Sequence, residues 1–127
     1  MGTRALIKVL DESNSVVTCL YSQWDGYPSG IGSALAAFLS QIKLINGITG
    51  KETRPVANGM GCLAAQLVVH FKKEVGSYYL VDPKVEHGEE YIYEVYSNKV
   101  RVTNYAKEVL YLGSWDLFSE FCNGSDD

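Results

Sequence analysis

Residues 4–10 and 16–21 are rich in β-branched and aliphatic side chains and flank the polar run Asp11-Glu12-Ser13-Asn14-Ser15. Two such segments around a turn cluster predict a β-hairpin with a loop slightly longer than the tightest type. In the first strand Ala5, Ile7 and Val9 share one face, while Arg4 and Lys8 share the other with Leu6 and Leu10. In the second, Val17, Cys19 and Tyr21 face one way and Val16, Thr18 and Leu20 the other. A strand pair apolar on both faces predicts a central place in a sheet or an interface, and with it a homo-oligomer.

The period then changes. Ile31, Ala34, Leu35, Phe38, Leu39 and Ile42 recur at helical spacing, which predicts an amphipathic helix ending before Asn46-Gly47. Ser29 is the expected N-cap, with Ser33 the later alternative. Residues 48–57 hold Gly50, Pro55 and three charged residues and read as a long connecting loop. A second helix is predicted from about Gly59 to Lys73, with Met60, Leu63, Ala64, Leu67, Val68 and Phe71 on one stripe. Cys62, Ala65 and Val69 widen the stripe, so this helix is expected to be buried on most sides, with Gly76 ending it.

From Ser77 the period returns to two. Tyr78 to Val81, Tyr91 to Tyr96, Val100 to Tyr105 and Val109 to Leu112 are strand-like, with turn signals at Asp82-Pro83 and Ser97-Asn98-Lys99. A short helix is predicted from Ser114 to Cys122, and residues 123–127 are expected to be a disordered tail. The order predicts a single α+β domain over residues 1–122. Its expected form is an antiparallel sheet of about five to six strands, an N-terminal hairpin plus a C-terminal meander. Two helices pack on one face, and the short C-terminal helix closes the fold.

Composition narrows the function classes. The chain has 127 residues and a net charge of −4, which argues against non-specific nucleic-acid binding. Nine tyrosines against four phenylalanines favour half-buried faces, where a ring packs and its hydroxyl meets water or a ligand. The three cysteines, Cys19, Cys62 and Cys122, have no metal-type spacing and read as reduced thiols of a cytoplasmic protein. No apolar run reaches membrane-spanning length, no membrane association is expected, and no cofactor motif stands out.

Two glycine-rich stretches lead into the helices. The first is Tyr21-Ser22-Gln23-Trp24-Asp25-Gly26-Tyr27-Pro28-Ser29-Gly30-Ile31-Gly32, the second Ala57-Asn58-Gly59-Met60-Gly61-Cys62. Backbone N–H groups at Gly30 to Gly32 and at Gly59 to Gly61 are expected to meet a small anionic, nucleotide-like ligand at the helix N-termini. Trp24 and Tyr27 would stack a base, Asp25 and Asn58 would read polar groups, and Gln23 and Ser29 lie within the same loop. Arg4 and Arg54 are candidate anion clamps. The bland alternative is that these glycines turn the chain and let the helices pack closely. Neither stretch is a P-loop or a Rossmann fingerprint. His70 reads as a structural histidine of a buried helix, His87 as a solvated loop residue and Cys62 as a small apolar filler. Thr3 would need Gly2 removed to act as an N-terminal nucleophile. Catalytic residues are therefore assigned to none of these positions.

Met1-Gly2-Thr3-Arg4, the Tyr21 to Gly32 motif and Val56-Ala57-Asn58-Gly59-Met60-Gly61-Cys62-Leu63-Ala64-Ala65-Gln66 resemble a family of short, largely uncharacterised proteins of bacteria and their viruses. The resemblance covers residues 1–72 well and the tyrosine-rich remainder loosely. By analogy of size and setting, it implies a phage anti-defence role in a host cytoplasm, as an oligomeric binder that sequesters a nucleotide or cyclic-nucleotide signal without turnover. The alternatives are a small hydrolase or transferase using Asp25 as base with His70, His87 or Cys62 in support, and a protein-interaction module.

Overall fold

The first hairpin forms where the pattern places it. In the computed structural model, which describes residues 2–47, 50, 51 and 55–124, β1 (Ala5–Leu10) pairs antiparallel with β2 (Val16–Ser22), Ala5 opposite Ser22. A π-helical turn (Pro28–Gly32) then runs into α1 (Ser33–Gln41). β3 (Lys43–Ile45) and β4 (Val56–Asn58) make a separate two-stranded parallel ribbon, and β4 passes directly into α2 (Gly59–Phe71). The chain ends through β5 (Tyr78–Leu80), β6 (Tyr91–Val95), β7 (Val100–Asn104), β8 (Val109–Gly113) and α3 (Trp115–Asn123).

The fold is α+β, with one six-stranded sheet in the order β5-β2-β1-β6-β7-β8. The sheet is mixed rather than wholly antiparallel, because β1 and β6 run parallel with Ala5 opposite Tyr91. The reason lies in residues 81–90. β5 pairs antiparallel with β2 and so runs the same way as β1. The connection from β5 must then return along the sheet before β6 can start beside β1. It does so across the face opposite the helices: Val81 N donates to Cys19 O, Lys8 Nζ to Pro83 O, and Glu90 N to Arg4 O.

That crossing accounts for the two apolar faces of β1. Ala5, Ile7 and Val9 are buried among Leu35, Leu63, Leu67 and Phe118 on the helical side. On the other side Leu6 and Cys19 are buried by the chain itself, so the second apolar face needs no partner subunit. The pattern carries the information that the strand is central; it does not separate cover by a loop from cover by a second copy.

Other expectations change as well. Ser29 is not an N-cap, since the helical turn begins at Pro28 with no side-chain cap, and Ser29 sits within it, exposed. α2 buries one stripe only, Met60, Leu63, Ala64, Leu67 and Phe71, while Ala65 and His70 are exposed and Val69 is 68% exposed. It also ends at Phe71; Gly76, at φ +83°, makes the turn into β5 instead. Asn123 belongs to α3 and Gly124 is its C-cap; residues 125–127 lie outside the described residues. The long loop of residues 48–57 lies partly outside them too, and its last two positions belong to β4.

Burial governs the thiols. Desolvation pushes Cys122 up to about 12 and Cys19 up to about 11. An unfolded thiol titrates near about 8.5, so above that pH the unfolded chain loses protons that the folded chain keeps. The stabilisation is therefore complete below about pH 8.5 and is lost as pH rises towards about 12. Urea unfolding of wild type and Cys122→Ala across the alkaline range should show a shallower alkaline decline in the variant.

Candidate functional site

The Tyr21 to Gly32 stretch is tied down at several points. Gln23 N donates to Ser77 O at 2.9 Å, Ser22 Oγ to Trp24 O at 2.8 Å, and Gly26 N to Thr3 O at 2.9 Å. The buried Tyr93 hydroxyl donates to Gly26 O at 2.7 Å, fixing the loop to β6. Asp25 adopts φ +54° and accepts from the Tyr27 hydroxyl at 3.2 Å. The Asp25 charge, and then that hydrogen bond, raise the Tyr27 phenol above its ordinary range. Asp25 thus orients Tyr27.

The N–H groups expected to hold an anion are already engaged. Gly30 N and Gly32 N donate to Tyr27 O, at 2.9 and 3.5 Å, and Ile31 N to Asp25 O at 2.7 Å. The glycines serve close packing: a Cβ at Gly30 would stand 2.5 Å from Asp25 O, and one at Gly32 3.0 Å from Cys122 Sγ. The bland reading of this turn is the one the geometry supports.

The second glycine-rich stretch lies at the other end of β1. Thr3 holds the first loop, whereas Glu12, beyond the far end of the strand, reaches Met60 N with Oε2 at 3.3 Å. Six residues of strand separate the two, about 20 Å at about 3.3 Å per residue. The α2 N-terminus therefore receives a carboxylate from its own chain, which satisfies the helix dipole without a ligand. Asn58 Oδ1 accepts from Gly47 N at 2.7 Å and ties the loop. Gly59 is required by its φ of +81°, while a Cβ at Gly61 would meet open space. The two stretches do not form one pocket. Arg54 lies outside the described residues.

What the structure does bring together lies where β1 and β6 begin. Strand alternation places Thr3 and Tyr91 on the helical side and Arg4 and Tyr21 on the opposite side. Two depressions result, sharing Glu90. One, of about 290 Å³, is lined by Gly2, Arg4, Tyr21, Gln23, Trp24 and Glu90. The other, of about 480 Å³, is lined by Thr3, Tyr27, Glu90, Tyr91, Asn104, Tyr105 and Leu110. Trp24 and Tyr27 thus fall in different depressions and do not stack on one ring.

In the first depression the Trp24 ring lies against Gly2, whose Cβ would come within 2.3 Å of it, and Trp24 is 50% exposed. The Arg4 guanidinium rests over Gly88 and forms no ion pair among the described residues. Glu90 Oε2 accepts from Arg4 N at 3.0 Å, holding the carboxylate between the depressions. The Tyr21 ring lies 6.2 Å from Tyr79 and 6.1 Å from His87.

The remaining reactive side chains lie elsewhere or are engaged. The His70 ring lies between Phe38 and Phe71, tilted to the first and edge-on to the second, and partial burial, then the Lys73 charge, lowers its affinity for a proton. His87 Nε2 lies 3.0 Å from Asp82 O. Cys62 Sγ donates to Gln66 Oε1 at 3.2 Å. No group of residues able to hold a metal occurs among those described. No helix there is long and apolar enough to cross a membrane.

Sequence reasoning passed over Glu90, Tyr91, Asn104 and Tyr105 as site residues. The excess of tyrosine was the available signal, but nothing local shows that Tyr91, which opens β6, and Tyr105, just past β7, meet beside Thr3. No protein-family model matches this chain, and neither a curated protein nor a solved structure matches it.

Proposed function

We propose that the protein binds a small nucleotide-like ligand, a nucleotide or cyclic-nucleotide signal, and holds it without turnover in the depression formed by Arg4, Tyr21, Gln23, Trp24 and Glu90. One observation carries this reading: an exposed arginine without an ion pair among the described residues shares a depression with a half-exposed indole. The guanidinium fork matches two phosphate oxygens, and the indole offers a base a stacking face. Gln23 can both donate to and accept from a base edge. A depression of about 290 Å³ suits a single nucleotide unit. Binding rather than turnover is favoured because neither a histidine nor a cysteine lines it.

Isothermal titration against a panel of mononucleotides and cyclic nucleotides tests the proposal. Trp24→Ala should weaken binding about fivefold or more, from a stacking contribution of about 1–3 kcal/mol. Arg4→Ala should weaken it at least as much and flatten its salt dependence, since a charge-assisted bond is worth about 1.5–3 kcal/mol. Ligand released by denaturation should be chemically intact. No heat from any nucleotide, or unchanged affinity in both variants, would sink the idea; altered ligand would point to the enzymatic alternative.

A further inference from the structure

The larger depression has the opposite chemistry. Three tyrosine rings, Tyr27, Tyr91 and Tyr105, line it together with the Glu90 carboxylate, and neither lysine nor arginine is among its lining residues. Two features raise its negative potential. Tyr27 donates its hydroxyl to Asp25, so its ring is fed by a neighbouring carboxylate. Glu90 is fixed through Oε2 to Arg4 N, and Oε1 has no hydrogen-bond partner among the described residues. A cation placed over tyrosine faces is attracted by the ring quadrupole, and aromatic cages of this composition suit quaternary and alkylated ammonium groups, which carry charge but hydrate weakly. At about 480 Å³ the space exceeds what such a head group needs and leaves room for the molecule that bears it.

We propose that the depression formed by Tyr27, Tyr91, Tyr105 and Glu90 is a binding site for an organic cation bearing a quaternary or alkylated ammonium group. It goes beyond the nucleotide reading, because it lies on the other side of the sheet end and, Glu90 apart, uses residues that reading does not need. Glu90 links the two sites with opposite signs: its charge attracts the cation and repels a phosphate held at Arg4.

Choline titrated into the full chain, followed by calorimetry and tyrosine fluorescence, is the probe. Its neutral isostere, with carbon in place of the quaternary nitrogen, is the control. Choline should bind saturably and at least tenfold more tightly than the isostere, a ratio in keeping with the cation–π energies of partly desolvated sites. Tyr105 is 80% exposed, so Tyr105→Ala should keep the wild-type melting profile while weakening choline about two- to fivefold. Glu90→Gln keeps an acceptor for Arg4 N and should also weaken choline about tenfold. Arg4→Ala should leave choline affinity within twofold. Equal binding of choline and isostere, no saturable choline binding, or an unchanged affinity in Tyr105→Ala would each overturn the proposal. Because Arg4→Ala and Tyr105→Ala strike different depressions, failure of the cation site and failure of the nucleotide site are separately visible.

Discussion

Phe118→Ala is expected to destabilise the protein by about 3–5 kcal/mol, the range for removing a fully buried aromatic ring. Phe118 is 0% exposed, and its ring centroid lies 5.6 Å from Tyr111, 6.4 Å from Phe121 and 6.5 Å from Tyr93. These rings hold α3 on the sheet. The void would be apolar and dry, so neither water nor a polar group would offset the lost contacts. Urea unfolding should show a lower midpoint with an unchanged slope, because the surface exposed on unfolding is nearly the same. A loss under about 1 kcal/mol would mean that α3 is not docked as described. The change should also loosen the π-helical turn, since α3 backs it where Cys122 Sγ approaches Gly32.

Gly26→Val is the second large effect, expected to cost about 1–3 kcal/mol and to abolish the nucleotide binding proposed at the Arg4 depression. A Cβ at Gly26 would stand 2.7 Å from Ala5 Cβ and 2.9 Å from both Arg4 C and Thr3 O. These are main-chain atoms and a short side chain in a paired strand, so β1 and the loop must separate. Separation breaks the Gly26 N to Thr3 O bond and the Tyr93 to Gly26 O bond and displaces Trp24 relative to Arg4. Gly61→Ala is the matched control. Its Cβ meets open space on an exposed helical position, so stability should hold or rise by up to about 1 kcal/mol, with ligand affinity unchanged. Thermal melts and titrations of both variants would separate a packing glycine from a permissive one. Equal behaviour would remove the steric account of Gly26.

Position in the chain explains which parts of the candidate site were legible. Arg4, Gln23, Trp24 and Tyr27 stand out because they cluster around glycines and a proline, and all four line the depressions at the start of β1. Asn58, Gly59 and Gly61 show the same local signature but lie at the far end of that strand, where Glu12 meets the α2 N-terminus. A glycine before a helix looks alike whether its N–H groups await a ligand or are satisfied by the chain. Only the partners of those groups decide, and Tyr27 O, Asp25 O and Glu12 Oε2 are far from obvious in sequence.

Local pattern suffices for the type and order of the main strands and helices, because burial imposes a period of two on strands and about 3.6 on helices. From that alone came the α+β class, the first hairpin, the long helices and the four later strands. The tertiary structure decided what depends on non-local pairing. It set the parallel contact of β1 with β6, the return of residues 81–90 across the sheet, and the β3–β4 ribbon. It also decided the site, since Glu90, Tyr91 and Tyr105 join Thr3 and Arg4 only once β6 has been laid beside β1. Alternation shows which face a side chain takes, but not which distant strand lies beside it, because any strand of matching pattern satisfies the same backbone hydrogen bonds.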